Sequence, residues 1–209
     1  MTTSCLFTIS APSGAGKTSL VKALLKSSPD VSVSISHATR GKRPGEVDGE
    51  DYHFVDIDTF EAMVEQGAFL EHARVFDNYY GTSLKAVEDL LASGQHVILE
   101  IDWQGAQQVR SKLPDTVAIF ILPPSRDALR QRLMDRATDN VTIIERRMAE
   151  ADREMSHYSE AEYLVINDDF DQALSDLEAI IHCQGLTLER QKRRFPQLIA
   201  SIEAEKAAK

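Results

Sequence analysis

The chain has 209 residues, of which 43% are hydrophobic and 27% charged, and its formal net charge is −10. This composition is ordinary for a globular protein built as one domain, or as a core domain with small inserts. The acidic charge argues against a general nucleic-acid-binding protein, which usually carries a basic face. The first residues contain no basic segment followed by a long apolar run, so we predict no signal peptide, no membrane span and a cytoplasmic protein.

The first half of the chain begins as a strand, a glycine-rich turn and a helix, and then becomes a series of short strands. In chain order we predict a strand at 5–9, a turn at 11–16, a helix at 19–26, a strand at 31–36, a loop at 40–51, a strand at 52–55, a helix at 57–66, and strands at 69–75 and 79–80. The mixture predicts a small mixed α/β insert over residues 33–83.

The second half alternates apolar strands with helices. In chain order we predict a helix at 84–93, a strand at 96–101, a helix at 106–112, a strand at 117–122, a polar helical region at 126–155 with a break near 138–141, a strand at 163–166, a helix at 170–183 and a polar helical tail from 186 onwards. This alternation predicts an α/β fold with a parallel sheet covered on both faces. Ligands of such sheets bind beyond the carboxyl ends of the strands.

The two cysteines, Cys5 and Cys183, do not have the spacing of metal ligands. We expect both to be buried, reduced thiols, as in proteins of a reducing compartment.

The glycine-rich turn matches the phosphate-binding pattern G-x-x-x-x-G-K-[ST], except that Ala11 replaces the first glycine. Pro12 restricts Ala11 to an extended conformation that alanine adopts easily, so the exception should be tolerated. Backbone N–H groups of the turn would surround phosphate oxygens at a helix N-terminus. Lys17 would bridge the β- and γ-phosphates of a nucleoside triphosphate, and Thr18 would offer its hydroxyl to Mg²⁺. The predicted triphosphate-binding residues are Ala11, Pro12, Ser13, Gly14, Ala15, Gly16, Lys17 and Thr18.

Two arginines and two tyrosines of the insert could hold a second phosphate. Arg40 and Arg43 lie three residues apart in a loop, and arginine suits bidentate phosphate contacts. Tyr52 and Tyr80 could add neutral hydroxyl donors. Each arginine taken alone could equally be a solvated surface charge.

Two carboxylates end the apolar strand at 96–101. Glu100 and Asp102 lie two residues apart and so face the same side, where their charges are costly unless a ligand or metal meets them. We interpret Glu100 as supporting Mg²⁺ through water. The alternative is a carboxylate pair satisfied by nearby backbone or arginine groups.

Seven arginines and no lysine lie between residues 126 and 153. Arg132 and Arg136 are i, i+4 and share one helix face. Carboxylates alternate with these arginines, so the segment could also be an exposed helix with many ion pairs. We expect that simpler role for Arg126, Arg130, Arg146 and Arg153.

The ordered motifs of the chain resemble those of the guanylate kinase family. They are Ser-x-x-Thr-Arg-x-x-Arg-Pro-Gly-Glu from Ser36, then Tyr52, Glu-His-Ala from Glu71, Asn-Tyr-Tyr-Gly-Thr from Asn78, Ile-Asp-Trp-Gln-Gly from Ile101 and Val-Ile-Asn-Asp-Asp from Val165. The resemblance covers about Leu6 to Cys183. It implies a three-layer P-loop nucleoside-monophosphate-kinase fold with a parallel core sheet. The implied core comprises 1–32, 84–125 and 158–209 with its C-terminal helical tail, the GMP-binding insert is 33–83, and a helical lid is 126–157.

The resemblance also implies roles for individual residues. It assigns Ser36, Glu71, Thr82 and Asp102 to the guanine base, and Arg40, Arg43, Tyr52 and Tyr80 to the GMP phosphate. It assigns catalytic contacts with the transferred phosphate to Lys17, Arg132, Arg136 and Arg147, and a place near the adenine of ATP to Asn167. Guanine presents N1–H and N2–H donors that one carboxylate can accept, whereas adenine would leave a buried Glu71 unpaired.

The implied activity is ATP-dependent phosphorylation of GMP, and of dGMP, in purine nucleotide metabolism, with Mg²⁺ as cofactor. We expect the small molecules ATP and GMP as partners, no nucleic acid and no membrane, with a homo-oligomer left open. Ala137 stands where the family often has glycine, which leaves the lid hinge open. One alternative is a kinase for a phosphorylated ribose, which would not need Ser36, Glu71 and Thr82. The other is a non-catalytic guanylate-kinase-like binding module, against which the intact Lys17–Thr18 part of the loop and the lid arginines argue.

Overall fold

The computed structural model describes residues 4–75, 77–135 and 141–207 of the chain. The strands are β1 (Leu6–Ser10), β2 (Val31–Val33), β3 (His37–Ala38), β4 (His53–Phe54), β5 (Phe69–Val75), β6 (Asn78–Ser83), β7 (His96–Glu100), β8 (Val117–Leu122) and β9 (Tyr163–Ile166). The helices are α1 (Lys17–Ser27), α2 (Ile57–Glu65), α3 (Leu84–Ala92), α4 (Trp103–Lys112), α5 (Arg126–Asp135), α6 (Val141–Met155), α7 (Phe170–Gly185), α8 (Leu188–Arg194) and α9 (Pro196–Ala207).

The larger sheet has five strands in the order β2-β7-β1-β8-β9, and all its neighbouring strands are parallel. Alternate residues of β1 and β7 pack on opposite faces: Phe7 and Ile98 join the side chains of α1 and α7, whereas Val97 and Leu99 join those of α3 and α4. Because both faces are covered, these strands are apolar almost throughout. The predicted three-layer α/β fold with a parallel core sheet is therefore confirmed.

The smaller sheet has four strands in the order β4-β3-β6-β5, with β3 and β4 parallel and the other pairs antiparallel. Helix α2 covers it through Phe60, whose ring stacks on Phe69 at 4.6 Å between centroids. The register shifts between Phe69 and Glu71, so Leu70 lies in a β-bulge. Leu70 is 1% exposed and packs with Val87 and Val109 of the core helices. The bulge residue therefore joins the smaller sheet to the larger one.

Helices α5 and α6 pack on each other through Leu129, Leu133, Ile144, Met148 and Ala151. The ion pairs Arg126–Asp152 and Arg130–Glu145 also connect them, which confirms the structural role predicted for these two arginines. The predicted break near 138–141 lies largely within residues 136–140, which are outside the described residues. Arg136 and the hinge considered at Ala137 lie there too.

Three predictions need correction. Cys5 is buried but Cys183 is exposed. The strand predicted at 31–36 ends at Val33, since the chain must leave the larger sheet there to enter the smaller one at His37. Helix α4 begins at Trp103, three residues before the predicted start at 106, because the Asp102 side chain caps it by accepting from the Gly105 N–H.

None of the helices in the described part of the chain is both long enough and apolar enough to cross a lipid bilayer.

Candidate active site

A cavity of about 260 Å³ opens where β1 and β7 end and the smaller sheet faces them. The described residues that line it are Ala11, Pro12, Ser13, Gly14, Gly16, Lys17, Thr18, Ser36, Arg40, Arg43, Tyr52, Glu71, Ala73, Val75, Tyr80, Glu100, Ile101, Asp102 and Glu154. The position agrees with the expectation that ligands bind beyond the carboxyl ends of parallel strands. Residues predicted to bind the triphosphate and the monophosphate thus share one cavity.

The phosphate loop depends on glycine at two positions. Gly14 and Gly16 have φ angles of 93° and 96°, in the left-handed region that favours glycine. A Cβ atom at Gly16 would also lie 2.4 Å from the Asn167 Nδ2 atom. Gly16 precedes the first residue of α1, so the loop delivers its N–H groups to a helix N-terminus, where an anion is stabilised.

Asn167 and Arg132 hold the loop through the carbonyl group of Ala15. Asn167 is 5% exposed, and its Nδ2 donates to the Ala15 oxygen at 2.6 Å. Arg132 donates to the Asn167 carbonyl at 2.9 Å and to the Ala15 oxygen at 3.5 Å. The described residues lining the cavity include neither of them. In this structure both support the loop, and their predicted contacts with ATP stay predictions.

Lys17, Thr18 and Glu100 lie together at the end of β7. The Lys17 Nζ donates to the Ile101 oxygen at 3.1 Å, and the Thr18 hydroxyl donates to the Glu100 Oε2 at 3.1 Å. A hydroxyl and a carboxylate oxygen at this separation suit Mg²⁺, which nucleotide sites bind through one or two protein oxygens together with phosphates and water. The oxygen atoms of Thr18 and Glu100 are therefore suitable for holding the predicted cofactor, Mg²⁺.

Glu154 of α6 also reaches the phosphate loop. Its Oε2 accepts from the Ser13 N–H at 3.0 Å, so a carboxylate occupies one of the donors expected to bind a phosphate oxygen. Burial raises the pKa of Glu154. The role of this residue could not be predicted from the sequence, because its partner lies 141 positions away. The available signal was weak: Glu154 lies seven residues after Arg147, on the same face of α6 about 10 Å along the axis.

Glu71 is the most buried carboxylate of the cavity, with 2% of its surface exposed. The Thr82 hydroxyl donates to its Oε1 at 2.5 Å, and the Ser36 Oγ lies 3.3 Å from the Thr82 Oγ1. Burial raises the pKa of Glu71 to about 7, against the opposing effect of the Thr82 hydrogen bond. Three of the four residues predicted to surround the guanine base, Ser36, Thr82 and Glu71, are therefore linked in sequence by side-chain contacts, and the fully buried Thr82 stands behind Glu71.

Asp102 lines the same cavity but already has two partners. Its Oδ1 accepts from the Gly105 N–H at 2.9 Å and its Oδ2 from the Gln104 side chain at 2.9 Å. The carboxylate thus serves as the helix cap described above, and its predicted contact with guanine stays a prediction.

Glu46, which sequence analysis did not single out as a site residue, orients Arg40. Its two oxygens accept from the two terminal nitrogens of Arg40 at 2.6 Å each. This fork holds the pKa of Glu46 at about 2 and raises that of Arg40. The Arg40 guanidinium also lies over the Tyr52 ring, 4.8 Å from its centroid, and the Tyr52 ring meets that of Tyr80 at 5.9 Å. Arg40 is therefore fixed where it borders the cavity.

The cavity brings together most, though not all, of the predicted site residues. The remaining predicted residues that the structure describes, none of them in the described lining, are Ala15, Thr82, Arg132, Arg147 and Asn167. Arg147 is half-buried on α6, and Arg136 lies outside the described residues.

Comparisons with known proteins agree with this geometry. The guanylate kinase family model matches residues 4–184. The guanylate kinase of Methylococcus capsulatus is 58% identical over 202 residues, covering 97% of this chain and 99% of that protein. That of Escherichia coli (strain K12) is 55% identical over 202 residues, covering 96% and 98%. The crystal structure of guanylate kinase from Anaplasma phagocytophilum superposes with a TM-score of 0.75 at 31% identity, covering 92% of this chain and 96% of that one.

Proposed function

The chain belongs to the guanylate kinase family and therefore phosphorylates GMP with ATP, and we propose that the transfer takes place in the cavity described above. One observation carries the proposal. The same space is lined by the phosphate loop with Lys17, by the buried Glu71 and by Arg40. A donor triphosphate and an acceptor monophosphate held there would be close enough to react.

The GMP half of the site is formed by the smaller sheet. Glu71 would accept the N1–H and N2–H of guanine, with Ser36, Thr82 and Asp102 around the base. Arg40, Arg43, Tyr52 and Tyr80 would hold the phosphate, Arg40 being aimed by Glu46. This arrangement corresponds to the proposed insert at 33–83.

The ATP half is the phosphate loop, under a lid at 126–157 that carries Arg132, Arg136 and Arg147. Lys17 and these arginines would neutralise the charge that develops on the transferred group. Asn167 would keep the loop in shape through Ala15. Closure of the lid and of the insert would exclude water, which would otherwise hydrolyse ATP.

The chemistry needs no general base from the protein. A GMP phosphate oxygen, already an oxyanion, forms a bond to the γ-phosphorus while the bond to the β,γ-bridging oxygen breaks, giving GDP and ADP. Thr18, directly, and Glu100, through water, would hold Mg²⁺, which when bound neutralises charge on the β- and γ-phosphates. The cytoplasmic location and the homo-oligomer considered from the sequence stay predictions.

A coupled ADP-release assay tests the residue assignment. We expect turnover with GMP and not with AMP or ribose 1,5-bisphosphate. Glu71→Gln should weaken selectivity for GMP while the KM for ATP is retained, whereas Glu61→Gln, an exposed carboxylate on α2, should change neither. Unchanged selectivity in Glu71→Gln would mean that another group reads the base.

A further inference from the structure

Strand β5, which carries Glu71, is the edge strand of the smaller sheet. Its inner edge pairs with β6. An edge strand leaves N–H and C=O groups without a neighbouring strand, and here the bulge at Leu70 interrupts the pairing immediately before Glu71. The position of the carboxylate therefore depends on what meets the outer edge.

Helix α4 of the core meets that edge. The Gln108 Oε1 accepts from the His72 N–H at 3.2 Å, and its Nε2 donates to the His72 oxygen at 2.8 Å. One side-chain amide thus makes the pair of hydrogen bonds that a neighbouring strand would make. The Lys112 Nζ donates to the Leu70 oxygen at 2.5 Å. These two contacts fix the backbone on either side of Glu71.

A third residue on the same face of α4, Gly105, allows the helix to approach Glu71 closely. Gly105 precedes Gln108 by three residues and Lys112 by seven, which places all three on one face. A Cβ atom at Gly105 would lie 2.6 Å from the Glu71 Oε2. The carboxylate is therefore enclosed between α4 at Oε2 and the Thr82 hydroxyl at Oε1.

We propose that Gln108, assisted by Lys112, is a positioning residue for base selection. It holds β5 so that both Glu71 oxygens keep the orientation that two guanine donors require. The inference rests on the proposed role of Glu71. Small displacements of a binding group lower the rate strongly in a site of this kind. If the contacts with α4 were lost, the bulged edge of β5 would allow Glu71 to be displaced in this way.

The test compares GMP with IMP, which lacks only the N2 amine. Gln108→Met keeps the length of the side chain and removes its amide. We expect the ratio of kcat/KM for GMP to that for IMP to fall about tenfold (about 1.4 kcal/mol), with the KM for ATP unchanged. Gln107→Met is the matched control, because Gln107 immediately precedes Gln108 in α4 but donates to the Glu160 Oε2, at 2.8 Å, rather than to β5. It should leave the ratio unchanged.

Two further variants make the outcome decisive. Lys112→Met alters an exposed residue and should lower the GMP-to-IMP ratio in the same direction, which decides the matter if Gln108→Met does not fold. Glu71→Gln, measured in parallel, tests the premise: an unchanged ratio there would reject Glu71 as the base reader. The positioning role alone would be overturned if the GMP-to-IMP ratio of kcat/KM fell in Glu71→Gln but Gln108→Met and Lys112→Met lowered kcat/KM equally for both nucleotides.

Discussion

Glu71 keeps its carboxyl group almost completely away from water, and burial raises its pKa from 4.5 to about 7. In the ligand-free protein the group is therefore largely protonated below pH 7. Guanine offers it two donors, which require the ionised form. We expect the affinity for GMP to fall as the pH decreases below 7, approaching tenfold per pH unit, and to level off above it. Calorimetric titration with GMP between about pH 5.5 and 8.5 measures this.

The same residue provides the control. The GMP phosphate itself titrates at about pH 6. Glu71→Gln should nevertheless remove the part of the pH dependence of GMP affinity that is due to the Glu71 carboxyl group. Because the folded protein binds the extra proton between pH 4.5 and about 7, its free energy of unfolding should fall as the pH rises through that window. An identical pH profile in Glu71→Gln would show that another group titrates.

Arg40 gives a second prediction at the residue scale. Glu46 fixes the guanidinium in a two-bond fork, so Glu46→Gln should leave Arg40 more mobile and raise the KM for GMP about tenfold, with a smaller effect on kcat. Steady-state kinetics measure both constants. Glu50→Gln, an exposed carboxylate of the same loop, should have little effect. A lower KM in Glu46→Gln would indicate that Glu46 competes with the phosphate for Arg40.

At the scale of elements, the Glu154 side chain of α6 must release the Ser13 N–H before ATP, bound as proposed, could use every donor of the phosphate loop. Glu154 accepts from the Ser13 N–H, and its ionised form would repel an incoming phosphate. We expect Glu154→Gln to lower the KM for ATP several-fold, as measured at saturating GMP. Glu150→Gln removes a charge one turn earlier on α6 and should have a smaller effect. An unchanged KM for ATP in Glu154→Gln would mean that the contact does not compete with nucleotide.

Elements whose evidence is local could be predicted from the sequence. The phosphate loop is one, because its glycines, Lys17 and Thr18 are covalent neighbours, and β8 is another, because its six residues form a continuous apolar run. Contacts between distant segments could not be predicted. Ser13 and Glu154 are separated by 141 positions and His72 and Gln108 by 36, and no periodicity along the chain relates them.

The orientation of individual side chains could not be predicted from the sequence either. The resemblance implied that Thr82 lies beside the guanine base, but only the pairing of β5 with β6 turns its hydroxyl toward Glu71. Similarly, the count of arginines in α5 gave no indication that Arg132 would donate to the carbonyl groups of the phosphate loop and of Asn167.

For the molecule as a whole, Leu70 is where the two sheets are joined. Its side chain belongs to the smaller sheet but is buried among core residues of α3, α4 and β7. Leu70→Ala should lower the free energy of unfolding by about 2–5 kcal/mol, as expected for a cavity in a packed core, in chemical denaturation. Leu188→Ala, at a position 66% exposed, should change it by less than about 0.5 kcal/mol. Equal effects would mean that Leu70 contributes no more than a surface residue.

Two glycines touch polar side chains at distances that exclude a methyl group: Gly16 beside Asn167 and Gly105 beside Glu71. Each pair restricts the order in which mutations can accumulate over evolutionary time. Alanine at position 105 would force the Glu71 carboxyl group to move unless position 71 had first become shorter. Under the role proposed for Glu71, either change would alter the choice of base. At position 16 even a shortened Asn167 would not suffice, because the backbone itself has a φ of 96°. Substitution of Gly105 therefore depends on the residue at position 71, whereas substitution of Gly16 is unfavourable whatever residue stands at position 167.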